Sequence, residues 1–125
     1  MISTLLVGFG FSATTFHLPF LNYLPQFSVD VVISSKPDVV NAVLPHAEVY
    51  GSLEEALKIH DVELVVITTP NHLHGPQAKL ALEHSCHVLV EKPFTLDSEE
   101  AEALVELAHS QNKQLCVYHL SLIHI

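Results

Sequence analysis

Short apolar runs alternate with segments of helical spacing along the whole chain. Six of the runs have the length of buried strands, and the second of them is rich in β-branched residues. They cover residues 4–7, 29–34, 47–50, 64–68, 88–90 and 115–118. Helices are predicted over residues 12–24, 38–44 and 74–84, and after residues 52 and 97. This alternation predicts an α/β fold, a Rossmann-type doubly wound parallel sheet of six strands with helices on both faces.

Polar and proline residues refine the predicted helices. Pro19 lacks an N–H group and should kink or interrupt the first helix. Ser52 and Asp97 are predicted N-caps, because each is followed three residues later by a glutamate. The predicted buried face of the last helix consists of Ala101, Leu104, Val105 and Ala108.

A glycine-rich turn joins the first strand to the first helix. Residues 8–13 read Gly-Phe-Gly-Phe-Ser-Ala and fit the pattern G-x-G-x-x-G/A. Gly8 allows a tight turn, Gly10 lets a pyrophosphate approach the backbone, and Ala13 allows the helix to pack closely on the strand. Glycines that merely turn the chain are the alternative, but the flanking strand and helix favour a dinucleotide. The predicted pyrophosphate-binding residues are Gly8, Gly10, Phe11, Ser12 and Ala13.

The end of the second strand distinguishes between the two nicotinamide cofactors. NAD-preferring domains usually place an acidic residue there to bind the ribose 2′-hydroxyl. Here the residues are Ser34, Ser35 and Lys36, which offer two hydroxyls and one ammonium group to a 2′-phosphate. The sequence therefore predicts a preference for NADP(H) over NAD(H). The alternative is that Lys36 is a solvated loop lysine.

Charge and composition exclude several classes of partner. The net charge is −9 and all five basic residues are lysines, which argues against nucleic acid and against an anionic membrane surface. The apolar runs are shorter than the about 20 residues that a membrane span needs. No secretory signal pattern is found, so we expect a cytoplasmic protein, with Cys86 and Cys116 reduced and buried. The spacing of the ten histidines predicts no metal site.

Four motifs in order resemble one known family. Thr69-Pro70-Asn71 with His74, and Glu91-Lys92-Pro93, are similar to the T-P-N-x-x-H and E-K-P signatures of the Gfo/Idh/MocA oxidoreductases. This family is named for glucose–fructose oxidoreductase and inositol dehydrogenase. The glycine turn also matches, and the stretch F-H-L-P at residues 16–19 resembles a subgroup that includes NADP-dependent scyllo-inositol dehydrogenases. The resemblance covers residues 4–119.

The resemblance implies a position along the cofactor for each motif. The glycine turn would hold the pyrophosphate, and the residues at positions 34–36 would meet the phosphate on the adenosine ribose. The segment passing beneath the cofactor would consist of Thr68, Thr69 and Pro70. Asn71 and His74 would lie near the nicotinamide ribose, and Glu91 and Lys92 would lie at the nicotinamide.

Lys92 is the predicted catalytic residue. It follows a predicted parallel strand directly, at the end where open α/β sheets bind ligands. Oxidation of a carbinol needs a base that takes the hydroxyl proton, and a lysine can do this. The alternative from the residues alone is that Lys92 pairs with Glu91 and only supports the structure.

The resemblance also predicts the domain organisation. Residues 1–119 correspond to the dinucleotide-binding domain, whereas residues 120–125 have no counterpart in the family and read as an artefactual tail. Family members continue into a second domain that binds substrate. We therefore expect an inactive fragment of a homo-oligomeric dehydrogenase that acts on a sugar or polyol. A non-catalytic NADP-binding sensor or regulatory module is the alternative, and Lys92 favours the enzyme.

Overall fold

A six-stranded sheet forms the centre of the protein. The computed structural model describes residues 2–10, 13–69, 71–91 and 98–118. The strands are β1 (Ile2–Val7), β2 (Phe27–Ile33), β3 (Glu48–Tyr50), β4 (Leu64–Ile67), β5 (His87–Glu91) and β6 (Leu115–Tyr118). All neighbouring pairs are parallel, in the spatial order β3-β2-β1-β4-β5-β6. The predicted Rossmann-type sheet is confirmed. The first and last residues of each strand lie within two positions of the predicted bounds.

Helices cover both faces of the sheet. They are α1 (Leu18–Tyr23), α2 (Pro37–Val43), α3 (Leu53–Ile59), α4 (His74–Glu83) and α5 (Ser98–Ser110), with a π-helix at Ala13–His17 and a 3₁₀ turn at Asn71–Leu73. Leu6 belongs to the core shared with α1 and α2, whereas Leu5 belongs to the core shared with α3, α4 and α5. Successive residues of a strand point to opposite faces, so the sheet is doubly wound as predicted. Among the described residues, no helix is long and apolar enough to cross a membrane.

The predicted first helix is divided in two just before Pro19. Its first part is the π-helix, and its second part is α1, which begins at Leu18. A proline has no N–H group to donate to the preceding turn, so a regular helical ladder cannot run through position 19. The interruption predicted at Pro19 is confirmed, and π turns of this kind are frequent at functional sites.

The buried face of α5 is narrower than the sequence predicted. Leu104 and Ala108 are buried and Ala101 is half-buried, but Val105 is 55% exposed. Because α5 packs beside α4 near the margin of the sheet, only one stripe of its surface meets other elements. The prediction of burial is therefore wrong for Val105.

The cap at α3 follows the sequence. Ser52 Oγ accepts a hydrogen bond from the Glu55 N–H at 3.4 Å, which confirms the predicted N-cap. The predicted cap at Asp97 and the tail at residues 120–125 lie outside the described residues.

The two cysteines, both free, lie in different surroundings. Cys86 is buried just before β5, where burial raises the pKa of its thiol to about 11. Cys116 is exposed on the edge strand β6, whereas the neighbouring Leu115 packs against the core. The prediction that both cysteines are buried is therefore right for Cys86 and wrong for Cys116.

The cysteines should differ in their reaction with an aromatic disulfide reagent. At neutral to mildly alkaline pH, we expect one rapid equivalent, from Cys116, and a second only when the chain is unfolded. The reason is that a buried thiol with a raised pKa holds little of the reactive thiolate. The absorbance of the released thiolate measures both phases. Cys116→Ser should remove the fast phase, and two fast equivalents in the native protein would contradict the burial of Cys86.

Candidate functional site

Four neighbouring strands end in the same row of the sheet. Val7 of β1 is paired with Ile33 of β2 and with Ile67 of β4, and Ile67 is paired with Val90 of β5. The residues that follow this row form what we call the carboxyl edge, in the order Ser34, Gly8, Thr68, Glu91. Open α/β sheets bind ligands at this end of the strands, where the strand order reverses. The register thus places the predicted site motifs side by side.

Gly8 occupies the tightest point of the edge. Its φ angle is +95°, in the left-handed region that favours glycine. A Cβ at this position would lie 2.6 Å from Thr68 Oγ1. The Thr68 hydroxyl donates to Val7 O at 2.8 Å, and the Thr68 N–H donates to the same oxygen at 3.0 Å, so the threonine is held in place. Both the turn and this close approach therefore require glycine.

Gly10 differs from Gly8 because it faces open space. A Cβ there would meet no atom within 4 Å, and the residue is exposed. The Gly10 carbonyl accepts the Thr14 N–H at 3.1 Å and the Thr14 hydroxyl at 2.9 Å, while Ala13 is fully buried. Free space beside the backbone at the start of the first helical segment fits the predicted pyrophosphate. Phe11 and Ser12 lie outside the described residues.

The residues predicted to meet the 2′-phosphate lie at one end of the carboxyl edge. The Ser34 N–H donates to Tyr50 O at 3.0 Å, which fixes the end of β2 against β3. Ser34 Oγ accepts the Lys36 N–H at 3.1 Å, and Ser35 and Lys36 are exposed. The three residues are thus close together and open to solvent, and their contact with a phosphate stays a prediction.

Two side chains of α4 hold the loop that follows β4. His74 is 1% exposed, and its Nε2 lies 2.6 Å from Thr69 O. The Thr69 hydroxyl donates to Gln77 Oε1 at 2.5 Å, so this residue is held through its backbone and its side chain. Asn71 begins the 3₁₀ turn, and Pro70 lies outside the described residues. Contact of Asn71 and His74 with a nicotinamide ribose stays a prediction.

The opposite end of the carboxyl edge carries a paired carboxylate. Glu91 is the last residue of β5, and its Oε1 lies 2.8 Å from His17 Nε2. The Glu91 side chain is 18% exposed and that of His17 is 5% exposed. Lys92 lies outside the described residues, so both its catalytic role and its alternative pairing with Glu91 stay open.

Two residues that hold this edge, His17 and Gln77, have no role predicted from the sequence. His17 lies four residues after the buried Ala13, and helical spacing therefore places it on the same buried face. A histidine at a core position of a predicted helix is a signal in the sequence that could have identified this residue. Gln77 carries no comparable signal, because a glutamine in the first turn of a helix is usually solvated.

The fold and the carboxyl edge together define a nucleotide-binding Rossmann domain. A glycine turn with positive φ lies where the strand order reverses, and open space lies beside the next glycine. The chain belongs to the oxidoreductase family with an NAD-binding Rossmann fold, Gfo/Idh/MocA, whose sequence profile matches residues 2–119. The resemblance found in the motifs is confirmed.

Relatives of known name include dehydrogenases of inositol and of a nucleotide sugar. The scyllo-inositol 2-dehydrogenase (NADP(+)) IolW of Bacillus subtilis is 35% identical over 114 residues, which cover 91% of this chain and 32% of the relative. The UDP-N-acetylglucosamine 3-dehydrogenase of Acidithiobacillus ferrooxidans is 41% identical over 64 residues, which cover 51% of this chain and 20% of the relative.

A solved structure confirms the fold. GenD2 from gentamicin A biosynthesis, crystallised in complex with NAD, is 30% identical and superposes with a TM-score of 0.84. The match covers 93% of this chain and 34% of that structure. The chain therefore spans about a third of the length of GenD2 and of the inositol dehydrogenase.

Gly8 and Gly10 should respond differently to an added side chain. Gly10→Val should leave thermal unfolding nearly unchanged and abolish NADP(H) binding, because the new side chain would fill the space beside the turn. Gly8→Ala should lower the free energy of unfolding by about 1–3 kcal/mol, because a side chain is strained at this φ angle. Circular dichroism and titration calorimetry measure the two effects. Unchanged NADP(H) affinity in Gly10→Val would rule out the turn as the phosphate site.

Proposed function

We propose that this chain is the NADP(H)-binding part of a dehydrogenase that oxidises a carbinol of a sugar or polyol. The observation that carries the proposal is the order of the carboxyl edge, with Ser34 at one end, Gly8 within it and Glu91 at the other end. An extended dinucleotide has its adenosine ribose, pyrophosphate and nicotinamide in the same order. Relatives named as dehydrogenases of scyllo-inositol and of UDP-N-acetylglucosamine support the substrate class.

The preference for NADP(H) is proposed from the end of β2. Ser34, Ser35 and Lys36 offer hydroxyls and a positive charge, and the latter two are exposed. An acidic side chain at these positions would repel a 2′-phosphate, and none is present. Both cofactors occur among the relatives: the name of the inositol dehydrogenase specifies NADP(+), and GenD2 was crystallised with NAD.

Lys36→Ala tests this preference. The variant should bind NADP(H) about ten- to a hundredfold more weakly, because it loses an interaction with a charged phosphate. Its affinity for NAD(H), which lacks that phosphate, should stay nearly unchanged. Fluorescence titration of both reduced cofactors measures the difference.

Lys58→Ala is the matched control for that experiment. Lys58 is an exposed lysine on α3 that pairs with Glu54, so its loss changes the net charge equally without touching the carboxyl edge. It should leave both affinities unchanged. Equal losses for NADP(H) and NAD(H) in Lys36→Ala would contradict the proposed contact.

Lys92 is the residue that we assign to proton transfer. NADP(+), when bound, accepts the hydride of the carbinol carbon. The hydroxyl proton must then pass to a base, and the unprotonated amine of a lysine takes it and becomes an ammonium group. Lys92 follows Glu91 directly in the sequence, and the family resemblance puts the nicotinamide at these two residues. A module that only senses NADP(H) would not need a basic residue at this position.

Turnover distinguishes the dehydrogenase from a sensor. A protein that spans the full length of the relatives should reduce NADP(+) with a sugar or polyol. Lys92→Met should lower its kcat by about 10²–10⁴-fold, the usual contribution of a general base, while NADP(H) binding is kept. Nicotinamide absorbance follows the reaction. NADP(H) binding without turnover on any sugar or polyol would favour the sensor.

The 125-residue chain by itself should bind NADP(H) without turnover. Positioning of two reactants supplies about 7–11 kcal/mol of barrier lowering, and it needs contacts to the substrate as well as to the cofactor. The motifs of the carboxyl edge are all assigned here to the cofactor. Turnover by this chain that disappears in Lys92→Met would contradict the proposal that it is only the cofactor-binding part.

A further inference from the structure

One largely buried hydrogen-bonded pair connects the helix after the glycine turn to the far end of the carboxyl edge. His17 Nε2 lies 2.8 Å from Glu91 Oε1, and the two residues are 74 positions apart in the chain. His17 ends the π-helix that follows the turn, and Glu91 ends β5. Since β4 lies between β1 and β5, the contact reaches across one strand of the sheet.

The local structure of the first helix places His17 at this contact. The π-helix at Ala13–His17 makes one wide turn, and α1 begins at the next residue, with Pro19 second in it. Ala13 and Leu18 are buried beside His17, against the face of the sheet that contains Leu6. The imidazole therefore reaches Glu91 from within a core cluster and not from the surface.

Stability alone does not account for a histidine and a carboxylate in this position. Removal of polar groups from water costs free energy, and a well-packed apolar pair is often as stable as a buried ion pair. The neighbouring core positions Ala13, Leu18 and Leu21 are apolar. A polar pair kept within such a cluster, at the edge assigned to the cofactor, is better explained by a role at that edge.

We infer that His17 is a positioning residue for the cofactor and acts through Glu91. By holding the Glu91 carboxylate, it fixes the end of β5 relative to the turn at Gly8 and Gly10. The inference rests on the proposed function, which assigns the pyrophosphate to the turn and the nicotinamide to the end of β5. A carboxylate can only accept a hydrogen bond, so His17 must carry a proton on Nε2 in this arrangement.

The position of the pair predicts which cofactor contacts it affects. His17 and Glu91 lie at the end of the edge opposite Ser34 and Lys36. Loss of the pair should therefore weaken NADPH and NADH equally, since both contain the same pyrophosphate and nicotinamide. Lys36→Ala is expected to discriminate between the two cofactors, so the two effects are separable.

The experiment measures NADPH and NADH affinity of the 125-residue chain and of four variants at a temperature where all are folded by circular dichroism. His17→Leu and Glu91→Ala, which remove the donor and the acceptor of this bond, should each weaken both cofactors about tenfold, at the lower end of what loss of an orienting residue costs in metal sites. His17→Gln, which keeps a donor near Nε2, should restore affinity to within about threefold of wild type. The double variant His17→Leu/Glu91→Ala should be no weaker than the weaker single variant, because both changes remove the same contact.

His109→Leu is the matched control, since this histidine is exposed in the last turn of α5. It should change neither affinity. Nuclear magnetic resonance adds a signature that does not depend on affinity. The Nε2–H proton of His17 should give a hydrogen-bonded signal that moves when NADP(+) is added and is lost in Glu91→Ala.

The outcomes separate this inference from the proposed function. If the wild-type chain binds neither cofactor, the proposed function fails and this inference fails with it. If the wild-type chain binds and folded His17→Leu binds equally well, the inference alone is overturned. Additive losses in the double variant, or no rescue by His17→Gln, would likewise show that His17 does not act through Glu91.

Discussion

Parallel hydrogen bonding between strands of matched register is the constraint on which this structure depends. Val7 is paired on one side with Ile33 and on the other with Ile67, which in turn is paired with Val90. These residues lie in the core, so a slip of one position would turn each side chain to the opposite face of the sheet, into a core packed around other residues. The same register decides which loops are neighbours. The carboxyl edge is therefore a direct consequence of how the core is packed.

The turn after β1 shows how closely the edge is built. The Thr68 hydroxyl and N–H both reach the Val7 carbonyl, and the hydroxyl occupies the space where a Cβ of Gly8 would lie. The chain then passes Gly10, where no such contact exists. Glycine thus suits these two positions of one motif for different physical reasons. One is required by the protein's own packing, and the other leaves space that the protein does not fill.

The other residues of the site likewise fall into two groups, those that hold the protein's own structure and those that are exposed. His74 is buried, and Thr69 is bonded through both its carbonyl and its hydroxyl, so both hold the loop after β4. Ser35 and Lys36 are exposed and available to a ligand. At the other end, the Glu91 carboxylate is fixed by His17 across the sheet. Some motif residues therefore build the edge, whereas others are exposed to solvent.

Local pattern was sufficient for the secondary structure and for the position of the motifs. Strand-sized apolar runs, the capping serine at Ser52 and the proline at Pro19 act through neighbours in the chain, and the structure follows each of them. The glycine turn and the family motifs lie at strand ends, and these ends are also local features. The candidate residues could be found for this reason, although Lys92 and three others lie outside the described part of the chain.

Only the tertiary structure decided which of these local features meet. The approach of Thr68 to Gly8 and the bond from His17 to Glu91 join residues 60 and 74 positions apart. Such contacts follow from strand order and register, and the pattern of neighbouring residues in the sequence contains no information about either. The prediction that Val105 and Cys116 are buried is wrong for the same reason. Their apolar spacing fits a core, but burial depends on what packs over α5 and over the edge strand, and that is a property of the whole fold.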